Sequence, residues 1–457
     1  MGLRGAPDPP RPVIRPNPPF LASLPFPLPR TGVRVGAQAG AVLAGRLCGA
    51  GAGFLVVVLL TRTLPQADVG IVLTALAAAV LGEVAATLGR DAVAVQAVPQ
   101  ALAAGDAARA SAFGRSLGRQ LAWGVPVAGL AAGLSAGALT GWSASPLAMA
   151  LTALVVAGMT GLRALSHLVM AAGGIALGAL MLFVARPVLW LCAVAALAQA
   201  DALSVEAALA AAGGASLTAC ALLAVLARRP LAFLSAPPSA PDPEWGRSGR
   251  QLILPTLMIG ELPNVVTLCA SALLAPPQVA VLGVALRIAG LVALGTRSLI
   301  AALGPRLSAA WDRDRAAAAR VGRAVPLIAA PATLAVVAGV WGLAEPLLGL
   351  FGAGYAAGGW SLRVLVLMPL VTACAGPSLL VLTAAGRARD AGAAAWPTVA
   401  MLMAGSAIGA AFGTLGVAFC VVAATTAWEV LLVRRLRAAT GLSLWLPFGR
   451  AFGGRGG

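Results

Sequence analysis

Nine ionisable residues lie inside long apolar runs of this chain: Arg46, Glu83, Arg163, Arg186, Glu261, Arg287, Arg297, Arg363 and Glu429. A charge placed in hydrocarbon costs roughly 2.5–3.5 kcal/mol on insertion scales, so such groups tend to face a cavity or an opposite charge. Six of the nine are arginines. A guanidinium stays ionised in apolar surroundings and grips phosphate or carboxylate oxygens through a planar fork. The surplus of Arg over Glu therefore suits an anionic guest. Arg46, Arg186, Arg287, Arg297 and the amide of Asn264 are the candidate binding groups, and Glu83 and Glu261 are candidate gating or coupling carboxylates.

Depth along the helices refines this set. At 1.5 Å per residue, Arg46 lies roughly 13 Å and Glu83 roughly 8 Å from the inner ends of the first two apolar runs. Glu261 and Arg297 have similar depths in the seventh and eighth runs with the signs exchanged, which predicts two equivalent pairs, Arg46–Glu83 and Glu261–Arg297. Such pairs either form a cationic head-group site whose carboxylates release Arg or carry a proton, or they simply fix each hairpin. Burial favours a protonated carboxyl, which suits the coupling role. Arg186 precedes Pro187 mid-run, too deep to reach the interface easily, whereas Arg287 either serves an outward-facing site or snorkels outward. Asn264, one turn from Glu261, either bonds a polar guest in the cavity or bridges helices. Arg163 and His167 are i and i+4, hence on one helical face, and read as packing groups. Arg363 follows Trp360 and reads as an interfacial anchor, and Glu429 is expected to pair with Arg434 and Arg435.

The elements that must carry these residues are membrane helices. Of 457 residues, 60% are apolar and only 10% are charged, with mean hydropathy +0.92. A soluble protein averages about 25% charged residues, so a water-facing surface is excluded. The net charge of +17 comes from 32 Arg, no Lys and 15 acids; with this hydrophobicity it signals a membrane protein and not a nucleic-acid binder. Apolar runs of bilayer-spanning length fall near 37–60, 69–88, 121–139, 147–172, 175–197 and 207–227, then near 252–274, 279–303, 324–343, 362–385, 393–412 and 415–433. With the N-terminus inside, the cytoplasmic segments hold 25 Arg and the outer loops one, Arg62. That asymmetry predicts twelve helices with both termini cytoplasmic.

The chain divides accordingly. Residues 1–36, with nine Pro in 8–30, read as a disordered cytoplasmic arm. A six-helix lobe follows at 37–227, then a cytoplasmic linker at 228–250, a second six-helix lobe at 251–436 and a basic tail at 437–457. The lobes repeat: LPQADVGIVLTAL (64–76) answers LAPPQVAVLGVAL (274–286) between the first and second helices of each. Both lobes start inside, so the repeat is parallel, an arrangement used by transporters that rock two halves about a central site. Prolines within the runs, among them Pro126, Pro187, Pro255, Pro263 and Pro377, predict broken helices beside a cavity.

With these pieces in place the chain resembles the oligosaccharide flippases (Wzx-type polysaccharide biosynthesis proteins) of the multidrug/oligosaccharidyl-lipid/polysaccharide exporter (MOP) superfamily. The similarity rests on LGVALRIAGL and GPRLSAAWDRD within 251–315, on LVVVLLTRTLPQADVGIV (55–72), EPLLGLFGAGYAAGGWSLRVLVL (345–367) and GPSLLVLTAAGRARDA (376–391), and on the closing GVAFCVVAATTAWEVLLVRRLR (416–437). It implies an all-α polytopic fold of two six-helix lobes in a bacterial cytoplasmic membrane. It also implies alternating-access transfer of an undecaprenyl-diphosphate-type lipid-linked oligosaccharide, serving O-antigen, capsule or exopolysaccharide synthesis. Membrane lipids, a polysaccharide polymerase and glycosyltransferases are the implied partners. The alternatives are a multidrug or cation antiporter of the same superfamily and a lipid II flippase of peptidoglycan synthesis. No Walker sequence or Ser/His/Asp set occurs, so an ion gradient (H+ or Na+), the membrane potential or product consumption must supply energy. The six cysteines stand singly and His167 is the sole histidine, so neither a disulfide framework, a metal nor another cofactor is expected.

Overall fold

The computed structural model describes residues 32–141, 145–385, 387–442 and 444. The proposed N-terminal arm, up to residue 31, and the tail from 445 lie outside the described residues. Everything described is helix, turn or short connection. The first lobe comprises α1 (Gly32–Thr63), α2 (Gln66–Thr87), α3 (Arg90–Ala103), α4 (Ala107–Leu139), α5 (Pro146–Ala171), α6 (Ile175–Leu180), α7 (Arg186–Gln199) and α8 (Val205–Leu226). The second comprises α9 (Glu244–Ile259), α10 (Leu262–Ser271), α11 (Pro276–Arg313), α12 (Arg315–Gly342), α13 (Ala344–Gly349), α14 (Gly359–Leu365), α15 (Leu367–Ala375), α16 (Ser378–Ala384), α17 (Ala388–Ala410) and α18 (Gly413–Thr440). Among the described residues, eleven helical spans are long and apolar enough to cross a membrane, and α9 with α10 forms a twelfth, bent by 73°.

Local chemistry explains the boundaries. The side chains of Asp106, Ser145 and Ser204 accept hydrogen bonds from the first turns of α4, α5 and α8, the usual way to satisfy orphan amides. Leu88 and Gly89 both adopt left-handed backbone (φ 47° and 71°) and turn the chain from α2 into α3. Gly89 is obligatory on a second ground: a Cβ there would lie 2.2 Å from the Gly249 carbonyl oxygen. Between α6 and α7 a π-helical turn, Met181–Ala185, precedes Pro187; such wide turns relax the hydrogen-bond ladder near a residue that has no amide hydrogen.

One difference from the sequence expectations matters. The stretch after α2, between the second and third apolar runs, is an ordered helix, α3, packed on α4, α5 and α9, which run length alone did not predict. Its apolar side (Val93, Ala94, Val98, Ala101) is buried with Phe113 and Trp245. The seventh span breaks where its prolines predict, at Gly260 and Glu261 between Pro255 and Pro263. The tenth run is likewise divided, into α14, α15 and α16, with Gly376 and Pro377 between the last two.

The lobes meet at both ends. At the end carrying the α1–α2 and α10–α11 turns, α2 packs against α10 and α11. A Cβ on Gly70 would sit 2.0 Å from the Pro276 carbonyl oxygen, so the backbones touch there. Thr74 and Ser271 share a 2.7 Å hydroxyl hydrogen bond, and Arg62 Nε donates to the Leu350 carbonyl at 2.8 Å. Phe54 stands edge-on to Phe351 with ring centroids 5.1 Å apart. At the other end α9 bridges α3 of the first lobe and α17 of the second.

Candidate functional site

A cavity of about 540 Å³ lies against the second lobe, reached from the first lobe by Arg46. Its wall comes from the α9–α10 elbow, α11, α15, α16 and α18, and is mostly aliphatic, with Met258, Leu262, Ile300, Leu379 and Leu432 among the contributors. Trp428 is the single aromatic among its described lining residues, and Thr296, Thr372, Thr383 and Thr425 supply hydroxyls. Among its described lining residues three are charged: Arg46, Arg297 and Glu429.

Arg46 stacks its guanidinium over the Phe183 ring, 4.6 Å from the centroid, while its Nε is buried without an acceptor. The cation–π contact holds the group in place without neutralising it. The π turn that carries Phe183 is what brings the ring to α1: Gly49 packs so close that a Cβ would overlap the Phe183 carbonyl. Arg297, on α11, makes no ion pair among the described residues, although Glu261 is within electrostatic reach. The cavity thus presents one guanidinium from each lobe without an ion-pair partner among the described residues.

The predicted pairing is overturned. Glu83 does not meet Arg46, and Glu261 does not close on Arg297. Both carboxylates turn instead to Arg163 of α5. Arg163 Nη1 lies 3.2 Å from Glu83 Oε1 and 3.6 Å from Glu261 Oε1, while Nε donates to Asp91 Oδ2 at 2.8 Å. His167 Nδ1, one turn along the same face, is 3.5 Å from that Asp91 oxygen. Glu83 and Asp91 are buried. Outside the spanning helices, burial pushes the Asp91 carboxyl up, but His167 and the Arg163 guanidinium outweigh it and hold it well below the usual carboxylate range. One cation therefore ties α2, α3 and the α9–α10 elbow to α5. Asn264 belongs to the same knot: its amide donates to Glu261 Oε2 at 2.9 Å, so it buttresses the elbow in this state.

Arg186 and Arg287 are brought together elsewhere. With Leu76, Met159, Trp190, Ala212 and Ser216 they line a cavity of about 100 Å³. Arg287 Nη1 donates to the Gly283 carbonyl at 3.1 Å, whereas Arg186 Nε and Trp190 Nε1 are buried donors without acceptors. Arg287 lies ten residues closer than Arg297 to the start of α11, so the small cavity sits towards the closed α2–α11 end. Arg363 stacks on Trp360 at 4.8 Å and pairs with Glu345 at 3.1 Å.

Glu429 corrects the expectation of a local pair with Arg434 and Arg435: it is 6% exposed and faces the large cavity. Its sequence neighbours alone could not show this, because the arginines one turn on suggested an interface. The trace in the sequence was its burial between Trp428 and the apolar Val430–Val433 stretch.

No protein-family model matches the sequence, and no curated protein matches it. Solved structures do match, along nearly the whole chain. An inward-facing multidrug resistance MATE family transporter of the MOP superfamily shares 15% identity at TM-score 0.67, covering 87% of this chain and 99% of that one. The lipid II flippase MurJ in an inward closed conformation shares 12% identity at TM-score 0.65, with 87% of each chain covered. A MOP superfamily transporter from Pyrococcus furiosus, described as having a binding pocket of reverse polarity, shares 14% identity at TM-score 0.57, covering 88% and 94%. At these identities the likeness is one of architecture, and it bears out the expected all-α, two-lobed arrangement: the chain has the fold of the MOP superfamily transporters.

Proposed function

We propose that this protein is a flippase that carries a polyprenyl-diphosphate-linked oligosaccharide across the bacterial cytoplasmic membrane by alternating access, for cell-surface polysaccharide synthesis. The observation that carries the reading is the pair of guanidiniums, Arg46 and Arg297, that face one cavity from opposite lobes without an ion-pair partner among the described residues. A diphosphate bridging them would replace the hydration it loses with two charge-assisted forks. Aliphatic walls beside the guanidiniums suit the first isoprene units. A single aromatic among the described lining residues speaks against an aromatic drug pocket. Arg186 and Arg287, towards the closed end, would receive the head group as the lobes rock and that end opens. In this reading both termini are cytoplasmic, and the α2–α11 contact is the outer seal.

Direct binding tests the reading. A farnesyl-diphosphate ester of N-acetylglucosamine should bind the purified protein in detergent, and Arg46→Ala or Arg297→Ala should each weaken it about 10- to 100-fold, since hydrogen bonds to charged groups contribute ~1.5–3 kcal/mol. Equal affinity for the matching uncharged farnesyl glycoside would refute an anion site.

A further inference from the structure

We propose that Arg90 and Arg250 form a binding site for a phosphate-bearing anion, the headgroup of an acidic membrane lipid or free phosphate, where α3 meets α9. Neither arginine lines either cavity, so the site stands apart from the reading of those cavities. It lies at the end of the molecule opposite the α2–α11 contact, where α9 packs on α3.

The junction is built on close backbone contact. Besides the approach of Gly89 to the Gly249 carbonyl, a Cβ on Gly249 would lie 2.7 Å from the Leu88 carbonyl oxygen. Trp245, buried in the first turn of α9, stands edge-on to Phe113 of α4 with ring centroids 5.1 Å apart. These contacts seat α9 on the first lobe, and the seat brings two arginines together. Arg90 Nη1 donates to Ser116 Oγ at 2.9 Å, which fixes its guanidinium. Its other terminal nitrogen, Nη2, lies 3.1 Å from the place a Cβ on Gly246 would take, and Arg250 Nη1 lies 3.9 Å from the same place. Two guanidiniums thus flank one glycine.

Among the described residues neither guanidinium has an ion-pair partner, and the acids nearest them in sequence are engaged elsewhere: Asp91 with Arg163 and His167, Asp242 with Arg109, and Glu244 with Arg247. Burial and then the Arg250 charge lower the proton affinity of Arg90, as expected where two cations face each other. Like charges held together by a scaffold repel. An anion between them removes the repulsion and accepts charge-assisted hydrogen bonds from both, and phosphate oxygens match the planar guanidinium fork. The surroundings favour a lipid as the source. Ser116, Gln120 and Trp123 follow at i, i+4 and i+7, along one face of α4. Gln120 Nε2 donates to the Ala86 carbonyl at 2.9 Å near the end of α2, and Trp123 is 78% exposed. Tryptophan is enriched at the headgroup level of a bilayer, and the exposed Leu88, two residues from Arg90, offers contact to an acyl chain. A bound phosphate would tie α3 of the first lobe to α9 of the second.

The test titrates the purified full-length protein, in nonionic detergent at constant ionic strength, with dioctanoyl phosphatidylglycerol, dioctanoyl phosphatidylcholine and inorganic phosphate, read by microscale thermophoresis. The wild type should bind phosphatidylglycerol saturably and more tightly than phosphatidylcholine. Arg250→Gln should weaken that binding about tenfold, as the loss of a charge-assisted hydrogen bond does. Arg250 is exposed, so this variant probes the site without disturbing the half-buried Arg90. Arg247→Gln removes a neighbouring guanidinium that is already paired with Glu244 and should bind as the wild type does. Binding that phosphate does not displace assigns the site to the lipid headgroup; displacement by phosphate, or Arg250-dependent binding of phosphate alone, makes the free anion a ligand. The inference is overturned if neither phosphatidylglycerol nor phosphate shows binding that depends on Arg250. It is equally overturned if Arg247→Gln loses as much as Arg250→Gln, since surface charge alone would then explain the effect.

Discussion

Three carboxylates from three elements converge on Arg163. Removing a cation from a buried cluster leaves the anions uncompensated, at about 3–5 kcal/mol. Arg163→Met should therefore lower the thermal midpoint in detergent sharply, Arg163→Lys less, and adding Asp91→Asn to the Met variant should restore part of the loss. A neutral Arg163→Met would show the knot to be incidental. The Asp91 carboxyl is held below its ordinary value, so its contribution is complete above the unfolded value near 4 and is lost as pH falls through the folded one. The midpoint gap between wild type and Asp91→Asn should hold level from pH 5 to 8 and narrow below 4, as differential scanning fluorimetry can check. From sequence, depth along each helix was legible, but azimuth was not. Arg46 and Glu83 share a height and point to different neighbours, and Arg163, read as a packing group, proved to be the hub because α3 was unseen.

Among the elements, α2 is the member shared between lobes, and its contact with α11 is backbone to backbone at Gly70. Any side chain there must displace Pro276. Gly70→Val should loosen this end, and a cysteine at Thr74 in a cysteine-free background should then react faster with a membrane-impermeant maleimide. An unchanged rate would mean that the seal lies elsewhere. The α9–α10 elbow is the other decisive element. Its prolines were visible in the sequence, and a break near them was expected. The 73° bend was not, since a proline marks a weak point without giving the angle, which the Arg163–Glu261 contact and the packing of α9 on α3 and α17 impose. The missed helix α3 has a similar cause: fourteen residues are too few to span a bilayer, so a search for membrane spans passes over them, although Val93, Ala94, Val98 and Ala101 keep helical spacing.

At the scale of the whole molecule, twelve spans in two lobes could be read from run length and the placement of Arg, because both follow from the bilayer and not from packing detail. The cavity could not, since its walls are apolar residues indistinguishable in sequence from lipid-facing ones. If the lobes rock, tying them at one end must stop transport. Thr74→Cys with Ser271→Cys, whose hydroxyls are 2.7 Å apart in the parent, should cross-link and abolish translocation, and a reductant should restore it. Translocation by the cross-linked protein would rule out opening at that end. The central claim is that the paired arginines exist to receive a diphosphate, and a leaflet assay examines it most directly. Proteoliposomes holding the purified protein are given a fluorescent prenyl-diphosphate-linked sugar, and its protection from an impermeant quencher is followed in time. Protein-dependent transfer of the diphosphate-linked lipid should fall at least tenfold in Arg46→Ala and in Arg297→Ala, with no transfer of the uncharged glycoside; equal transfer of both lipids, or full activity without either arginine, would show that the arginines do not serve a diphosphate.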